Sequence, residues 1–309
     1  MSDSSIAIKV DRDSLKSLAG KTVVVTGASS GIGLETAELF YKLGSNVVFV
    51  GGRKIPTTNV PLDSPRVLVC QCDIGSWDSQ VDVFEATVEK FGTVDIVCPN
   101  AGVAEPQGQY FNLKLNDLGR PLPLDLKVVD VDMKGTAYSV ALAFHYLKAK
   151  GGSVIIVSSR AGYGGMPEMP SYSASKHAAT GLLRSLYVPA SAHNIALSLV
   201  APHITFTPGV FPKEYARGRA AFEKMRDTLK PIGINLSSSL TCALAVAYLA
   251  SRGLDSAGMG LLVEGDEIHN LEQAITDSRP EWWVKKSDNR KAREEYAKQM
   301  AKQAKSAGI

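Results

Sequence analysis

Between residues 21 and 264, short uninterrupted apolar runs alternate with longer stretches in which apolar residues return every three or four positions. The runs are KTVVVT (21–26), NVVFV (46–50), RVLVCQ (66–71), VDIVC (94–98), SVIIVS (153–158), IALSLV (195–200) and GLLVE (260–264). Apolar throughout and rich in Val and Ile, they predict strands covered on both faces, as in a parallel sheet. Between them the period becomes helical. Ile32, Thr36, Leu39, Phe40 and Leu43 share one face of a helix that Gly44 stops. Trp77, Val81, Phe84, Val88 and Phe91 do the same after Ser76, a residue suited to the N-cap, and Gly92 ends the pattern. Strand and helix alternating through short joints is the pattern of a doubly wound α/β sheet.

Two segments break this rhythm. Residues 203–236 carry two prolines in TPGVFP and a charged helical stretch, KEYARGRAAFEKMRDTL. A long insertion of this kind predicts a lid or binding loop. The other segment follows residue 279. Residues 285–309 hold 8 Lys or Arg against 3 Asp or Glu, which predicts a solvated basic helical extension. Trp282 and Trp283 are placed to dock it on the body or on a neighbouring subunit.

Composition narrows the class. With 309 residues, 45% hydrophobic and 21% charged, the chain is neither disordered nor fibrous. Lys plus Arg is 34 and Asp plus Glu 31, a formal net charge of +3, so nothing calls for a polyanionic partner. No recognition motif or aromatic-interleaved basic groove points to nucleic acid. The longest mainly apolar stretch, 240–250, is too short to cross a hydrocarbon core of about 30 Å. The start, MSDSSIAIKVDRDS, has no signal or transit pattern, and a cytoplasmic protein is expected. Four cysteines are too few for a disulfide framework. Cys70 and Cys72 are expected as buried reduced thiols, and no metal is expected because no second Cys/His pair lies near them.

The candidate chemistry sits at strand ends. TGASSGIG (26–33) leaves the first strand and opens the first helix. Glycines there let the backbone turn sharply and approach a pyrophosphate, while the helix N-terminus offers unpaired N–H groups and a favourable dipole. Strand before and helix after make this a strong dinucleotide signal, with Gly27, Ser29, Ser30, Gly31 and Ile32 as the contacts. An acidic residue ending the second strand would bind ribose hydroxyls and repel a 2′-phosphate. Here the strand runs instead into Gly51, Gly52, Arg53 and Lys54. Arg53 can stack on adenine and pair with phosphate, so NADP(H) is expected ahead of NAD(H). The competing reading is a solvated basic turn.

At Tyr172 the sequence reads YSASK, placing Tyr172 and Lys176 on one face of a helix. A nearby ammonium lowers a phenol's pKa and makes it a usable acid or base near neutrality. Ser159, thirteen residues before Tyr172, ends the strand SVIIVSS and can hydrogen-bond a carbonyl or hydroxyl oxygen. Taken singly, each of these is an ordinary surface residue; the combination carries the signal.

At these positions the chain resembles the classical short-chain dehydrogenase/reductase family. The matching motifs are TGASSGIG at 26–33, Asp73 after the third strand, PNAG at 99–102, SSRAG at 158–162 and YSASK at 172–176. The resemblance implies a Rossmann-type doubly wound parallel sheet, a single domain over 19–279 with 203–236 as a substrate lid. Residues 1–18 form an arm before it and 280–309 a basic helical tail. It implies that Tyr172 is the acid/base, that Lys176 binds the nicotinamide ribose and assists Tyr172, and that Ser159 positions the substrate oxygen. It also implies that Asp73 meets the adenine, that Ile74 and Asn100 belong to the cofactor site, and that Thr205 and Thr207 lie near the carboxamide and phosphates. Members assemble as homodimers or homotetramers, through helices at 125–149 and 171–192.

Two departures stand out. Asp132, twenty-seven residues before Ser159, stands where members carry Asn. Its charge should raise the pKa of Lys176 or Tyr172 and alter the pH dependence without abolishing chemistry. His203 stands where members carry Gly, and is expected to shape the pocket. The implied reaction is hydride transfer between a nicotinamide and a ketone or secondary alcohol. Phe206, Phe211, Tyr215, Met225, Tyr163 and Met166 would form an apolar pocket, or equally a lid core. The C-terminal stretch from residue 260 and the long tail are similar to members from fungal secondary metabolism, which suggests a bulky hydrophobic substrate. Competing readings are a cofactor-binding sensor without turnover and a non-redox cyclisation or isomerisation. Product mass separates the redox reading from the cyclase.

Overall fold

The structure, a computed structural model, describes residues 7–52, 56–211 and 218–282, with the side chains of 280–282 excepted, and beyond them Glu295 and Gln299. Arg53, Lys54, Tyr215, Trp283 and most of the basic tail lie outside the described residues, as does the side chain of Trp282.

Each apolar run becomes a strand: β1 (Thr22–Thr26), β2 (Asn46–Gly51), β3 (Val67–Gln71), β4 (Ile96–Cys98), β5 (Gly152–Val157), β6 (Ile195–Pro202) and β9 (Gly260–Glu264). The periodic stretches become α1 (Gly31–Lys42), α2 (Trp77–Phe91), α3 (Thr136–Leu147), α4 (Pro170–Ser191) and α6 (Ser239–Arg252). Short strands β7 (Thr205–Phe206) and β8 (Ser237–Ser238) pair with each other, α5 (Arg219–Leu229) lies between them, and β10 (Glu267–Asn270) and α7 (Leu271–Trp282) close the described chain. Among the described residues eight strands form one sheet in the order β10-β9-β6-β5-β4-β1-β2-β3, parallel except for β10 against β9. This is the doubly wound Rossmann-type arrangement.

Alternation along each strand feeds two cores. Val23 and Val25 face α1 and α6, and Val24 faces the opposite layer with α2, α3 and α4. The strand order reverses between β1 and β4, so a crevice opens beyond their carboxyl ends, where ligands of such sheets bind. The base of the 203–236 excursion is closed by Thr205 and Phe206 of β7, in register with Ser237 and Ser238 of β8.

Two expectations change. Strand β3 is a sheet edge, so its residues alternate: Leu68 is half-buried while Val69 and Gln71 are exposed. Cys70 is accordingly half-buried; Cys72, just past the strand, is buried, and both thiols are free. Helix α2 starts at the Ser76 cap, whose hydroxyl accepts from Ser79 N–H, and ends at Gly92 in the left-handed region, but its buried face is rotated. Gln80, Val83, Phe84 and Thr87 point inward, while Trp77 and Val88 are exposed. The reason is polar. Gln80 Nε2 donates to the Ile74 and Gly135 carbonyls at 2.6 and 3.0 Å, and its Oε1 accepts from Ser139 Oγ at 2.7 Å. The N-terminal arm runs back over the sheet: Ile8 N–H donates to Ile268 O, and Leu15 and Leu18 are buried in the core.

Candidate active site

The glycine-rich turn is built for close approach. A Cβ on Gly33 would stand 2.5 Å from the Gly27 carbonyl oxygen and collide with Asn100 Nδ2, so only glycine fits. Asn100 Nδ2 donates to the Thr26 carbonyl at 2.8 Å, while Thr26 Oγ1 accepts from the Asn100 and Ala101 N–H groups. The ends of β1 and β4 are thereby locked across the crevice. Ser30 is the N-cap of α1 but makes no capping hydrogen bond, which leaves the first helical N–H groups free for an anion. Thr207 stands over this turn, 3.3 Å from where a Gly31 Cβ would be. Ser29 lies on the same turn.

Asp73 and Ile74 follow β3. Asp73 Oδ1 accepts from Gly75 N–H at 3.0 Å, which orders the turn and leaves Oδ2 for another partner. Buried Thr205 donates from Oγ1 to the His203 carbonyl at 3.1 Å.

At the Tyr172 end of the crevice lies a buried ion pair. Lys176 Nζ lies 2.9 Å from Asp132 Oδ2, with 5% of the lysine and none of the aspartate exposed. Helical spacing also sets Lys176 Nζ 5.4 Å from the centroid of the Tyr172 ring. Asp132 sits in a π-helical turn, Val129–Gly135, immediately before α3. Such turns mark functional sites because they re-aim side chains. Val103 N–H donates to Asp132 Oδ1 at 2.8 Å, and a Cβ on Gly102 would crowd Asp132 Oδ2 at 2.8 Å. Burial works against the Lys176 charge, but the Asp132 carboxylate and the Tyr172 phenol outweigh it, and the lysine pKa is raised. Ser159, two residues past the end of β5, caps a short 3₁₀ turn, its hydroxyl accepting from Ala161 N–H at 3.1 Å.

The remaining candidates are dispersed. Phe206, Phe211, Phe222 and Met225 form a small core within the 203–236 excursion, with Phe206 ring centroids 5.5 and 5.8 Å from Phe211 and Phe222. Tyr163 points elsewhere, into a crevice of about 380 Å³ shared with His177, Arg184 and Ile275. The apolar set therefore divides between a lid core and an outer cleft; Met166 is exposed. His203 Nδ1 lies 3.2 Å from Glu264 Oε1, and burial lowers its pKa against the pull of that carboxylate. One residue escaped the sequence reading. Glu105, 67 positions before Tyr172, accepts the Tyr172 N–H on Oε2 at 2.6 Å. No local pattern announces a contact across that separation.

A model of the short chain dehydrogenase family matches residues 21–215. Short-chain dehydrogenase/reductase prx4 of Penicillium roqueforti is 30% identical over 296 residues, covering 90% of this chain and 84% of its own. The 5'-hydroxyaverantin dehydrogenase of Dothistroma septosporum is 29% identical over 292 residues, covering 85% of this chain and 90% of its own. Among solved structures, a 3-ketoacyl-(acyl-carrier-protein) reductase from Brucella melitensis complexed with NADH is similar with a TM-score of 0.66 and 25% identity, over 80% of this chain and 98% of that one.

Proposed function

The chain belongs to the short-chain dehydrogenase family, a family of oxidoreductases, and from that premise we propose that it is an NADP(H)-dependent enzyme interconverting a ketone and a secondary alcohol on a bulky hydrophobic small molecule. The observation that carries this reading is the buried Asp132–Lys176 pair under Tyr172, in a fold whose glycine turn leaves a helix N-terminus open. In this reading Gly27, Ser29, Ser30, Gly31 and Ile32 hold the pyrophosphate, Asp73 and Ile74 the adenine, and Arg53 a 2′-phosphate. Asn100 braces the turn, and Thr205 and Thr207 bound the far end. When bound, the nicotinamide supplies or accepts a hydride at C4.

The side chains do the rest. Ser159 donates to the substrate oxygen and fixes the carbonyl plane. Tyr172 gives its phenolic proton to that oxygen during reduction and recovers it during oxidation. Lys176, kept cationic by Asp132, favours the phenolate that remains. A dehydrogenase and a reductase among the similar proteins are named for the two directions of one redox exchange. The hydrophobic substrate rests on the resemblance to members from fungal secondary metabolism; prx4, a similar chain, is itself fungal.

The test is fluorescence titration with NADPH and NADH, for the wild type and Arg53→Ala. Tight NADPH binding that weakens selectively in the variant supports the cofactor assignment. NADH preference with Arg53 indifferent overturns it. A screen of hydrophobic ketones for NADPH consumption follows, with product mass rising by two hydrogens; an unchanged mass would instead favour isomerisation.

A further inference from the structure

Helix α4 carries both Tyr172 and Lys176, yet its own sequence leaves its start uncapped. The N-cap is Met169, whose side chain makes no capping hydrogen bond, and the first helical residue is Pro170, which has no N–H to offer. The helix ladder begins with Ser173 N–H donating to the Met169 carbonyl, so Tyr172 N–H is one of the orphan donors of the first turn. Glu105 takes it, at a charge-assisted 2.6 Å. Only 5% of Glu105 is exposed, and its Oε1 is buried with no hydrogen-bond partner. Burying a carboxylate half-satisfied is costly. The N-terminus of a 22-residue helix is a place where its negative charge is favoured.

The same loop is fastened to the site at two further points. Val103 N–H donates to Asp132 Oδ1 at 2.8 Å, and Tyr110 OH lies 3.0 Å from Ser171 Oγ, one residue before Tyr172. Beyond Tyr110 the loop is open to solvent and apolar, with Phe111 92% and Leu118 81% exposed. The segment that leaves PNAG thus reaches the acid/base residue by its backbone.

We propose that Glu105 is the positioning residue for Tyr172, capping α4 from a distant loop so that the phenol is held in register with Lys176 and Ser159. This rests on the reading of Tyr172 as the acid/base. Misplacing a catalytic group by about 1 Å can reduce turnover by roughly 100-fold. Glu105→Ala therefore lowers kcat by roughly 10- to 100-fold with NADPH affinity and substrate KM little changed. Glu105→Gln keeps an acceptor for Tyr172 N–H and recovers kcat to within a few-fold.

The experiment measures kcat and KM per folded enzyme for both variants and for Tyr172→Phe. Amide hydrogen exchange over residues 171–176 is followed in parallel, which reads the cap whether or not a substrate is in hand. Support is faster exchange at the helix start in Glu105→Ala, protection kept in Glu105→Gln, and kcat following the same order. Unchanged exchange in Glu105→Ala overturns the cap. Faster exchange with full kcat reduces Glu105 to a stabilising role and overturns the positioning. If Tyr172→Phe retains turnover, the acid/base reading falls instead, and with it the inference, whatever Glu105 does.

Discussion

Replacing Asp132 by Asn tests the centre of the site with little change of shape. The amide oxygen can still accept from Val103 N–H, but the charge facing Lys176 is gone. For Lys176, burial, its largest influence, is then opposed only by the Tyr172 phenol, and its pKa moves from above the ordinary lysine value to below it. The sign follows. In the wild type the raised lysine pKa adds stability that is fully present below the unfolded value, near 10.4, and is lost as pH rises through the folded value. In the variant a depressed pKa works in reverse, because the unfolded chain binds the proton more readily. The penalty at a given pH cannot exceed the free energy of deprotonating a free lysine there, which is about 5 kcal/mol at pH 7. Removing one partner of a buried pair costs about 3–5 kcal/mol, a matching figure. Asn also relieves the burial of a carboxylate, which reduces the absolute loss but not its dependence on pH. Urea unfolding of both proteins at pH 7, 8, 9 and 10 is the assay. Asp132→Asn should be less stable at pH 7, and the gap should shrink by up to about 1.4 kcal/mol per pH unit toward pH 10. A gap that stays flat from pH 7 to 10 would refute the claim that Asp132 keeps Lys176 charged. The pH–rate profile of the variant should shift as well, with turnover retained.

Three further outcomes are expected. Gly33→Ala forces a methyl against the Gly27 carbonyl and Asn100, so it should cost about 1–3 kcal/mol in denaturant unfolding and weaken NADPH in fluorescence titration. Gln80→Leu strips the Ile74 carbonyl of its partner, while Ser139 Oγ still donates to the Gly135 carbonyl; a loss of about 1–3 kcal/mol should appear in urea unfolding, and a fully stable variant would mean that the Ile74 carbonyl finds another partner. His203, its pKa lowered by burial, should make stability fall as pH drops below about 6.5, the unfolded value. Melting temperatures between pH 7.5 and 5.5 should therefore fall less steeply for His203→Asn than for the wild type.

Much of this molecule is local, and so legible in the chain. Seven apolar runs became seven strands, and the inner ones read as uninterrupted runs because a strand covered on both faces has no polar positions to break it. The Ser76 cap and Gly92 stop of α2, and Gly44 after α1, were readable because capping involves residues within one turn. Tyr172 and Lys176 fall on one face by helical period alone, and the glycine turn announces itself by sitting between strand and helix. What depends on neighbours was not local. That β3 is an edge strand follows from strand order, so its exposed Val69 reads in the sequence like any core valine. Gln80 turns inward because two carbonyls, one of them 55 residues away, await its amide. Phe206 and Tyr163 are both aromatic, yet one packs within the excursion and the other lines an outer crevice, a division that hydropathy does not encode. Asp132 showed in the sequence as a departure; its ion pair with Lys176 exists because a π-helical turn and α4 converge behind Gly102. Glu105 gave no signal, since its partner is a backbone N–H and any residue but proline supplies one. Residue order alone says which side chains have the chemistry and which segments extend or coil; which charges meet emerges on folding, because a buried ion pair or a remote cap is set by packing across the sheet and not by spacing along the chain.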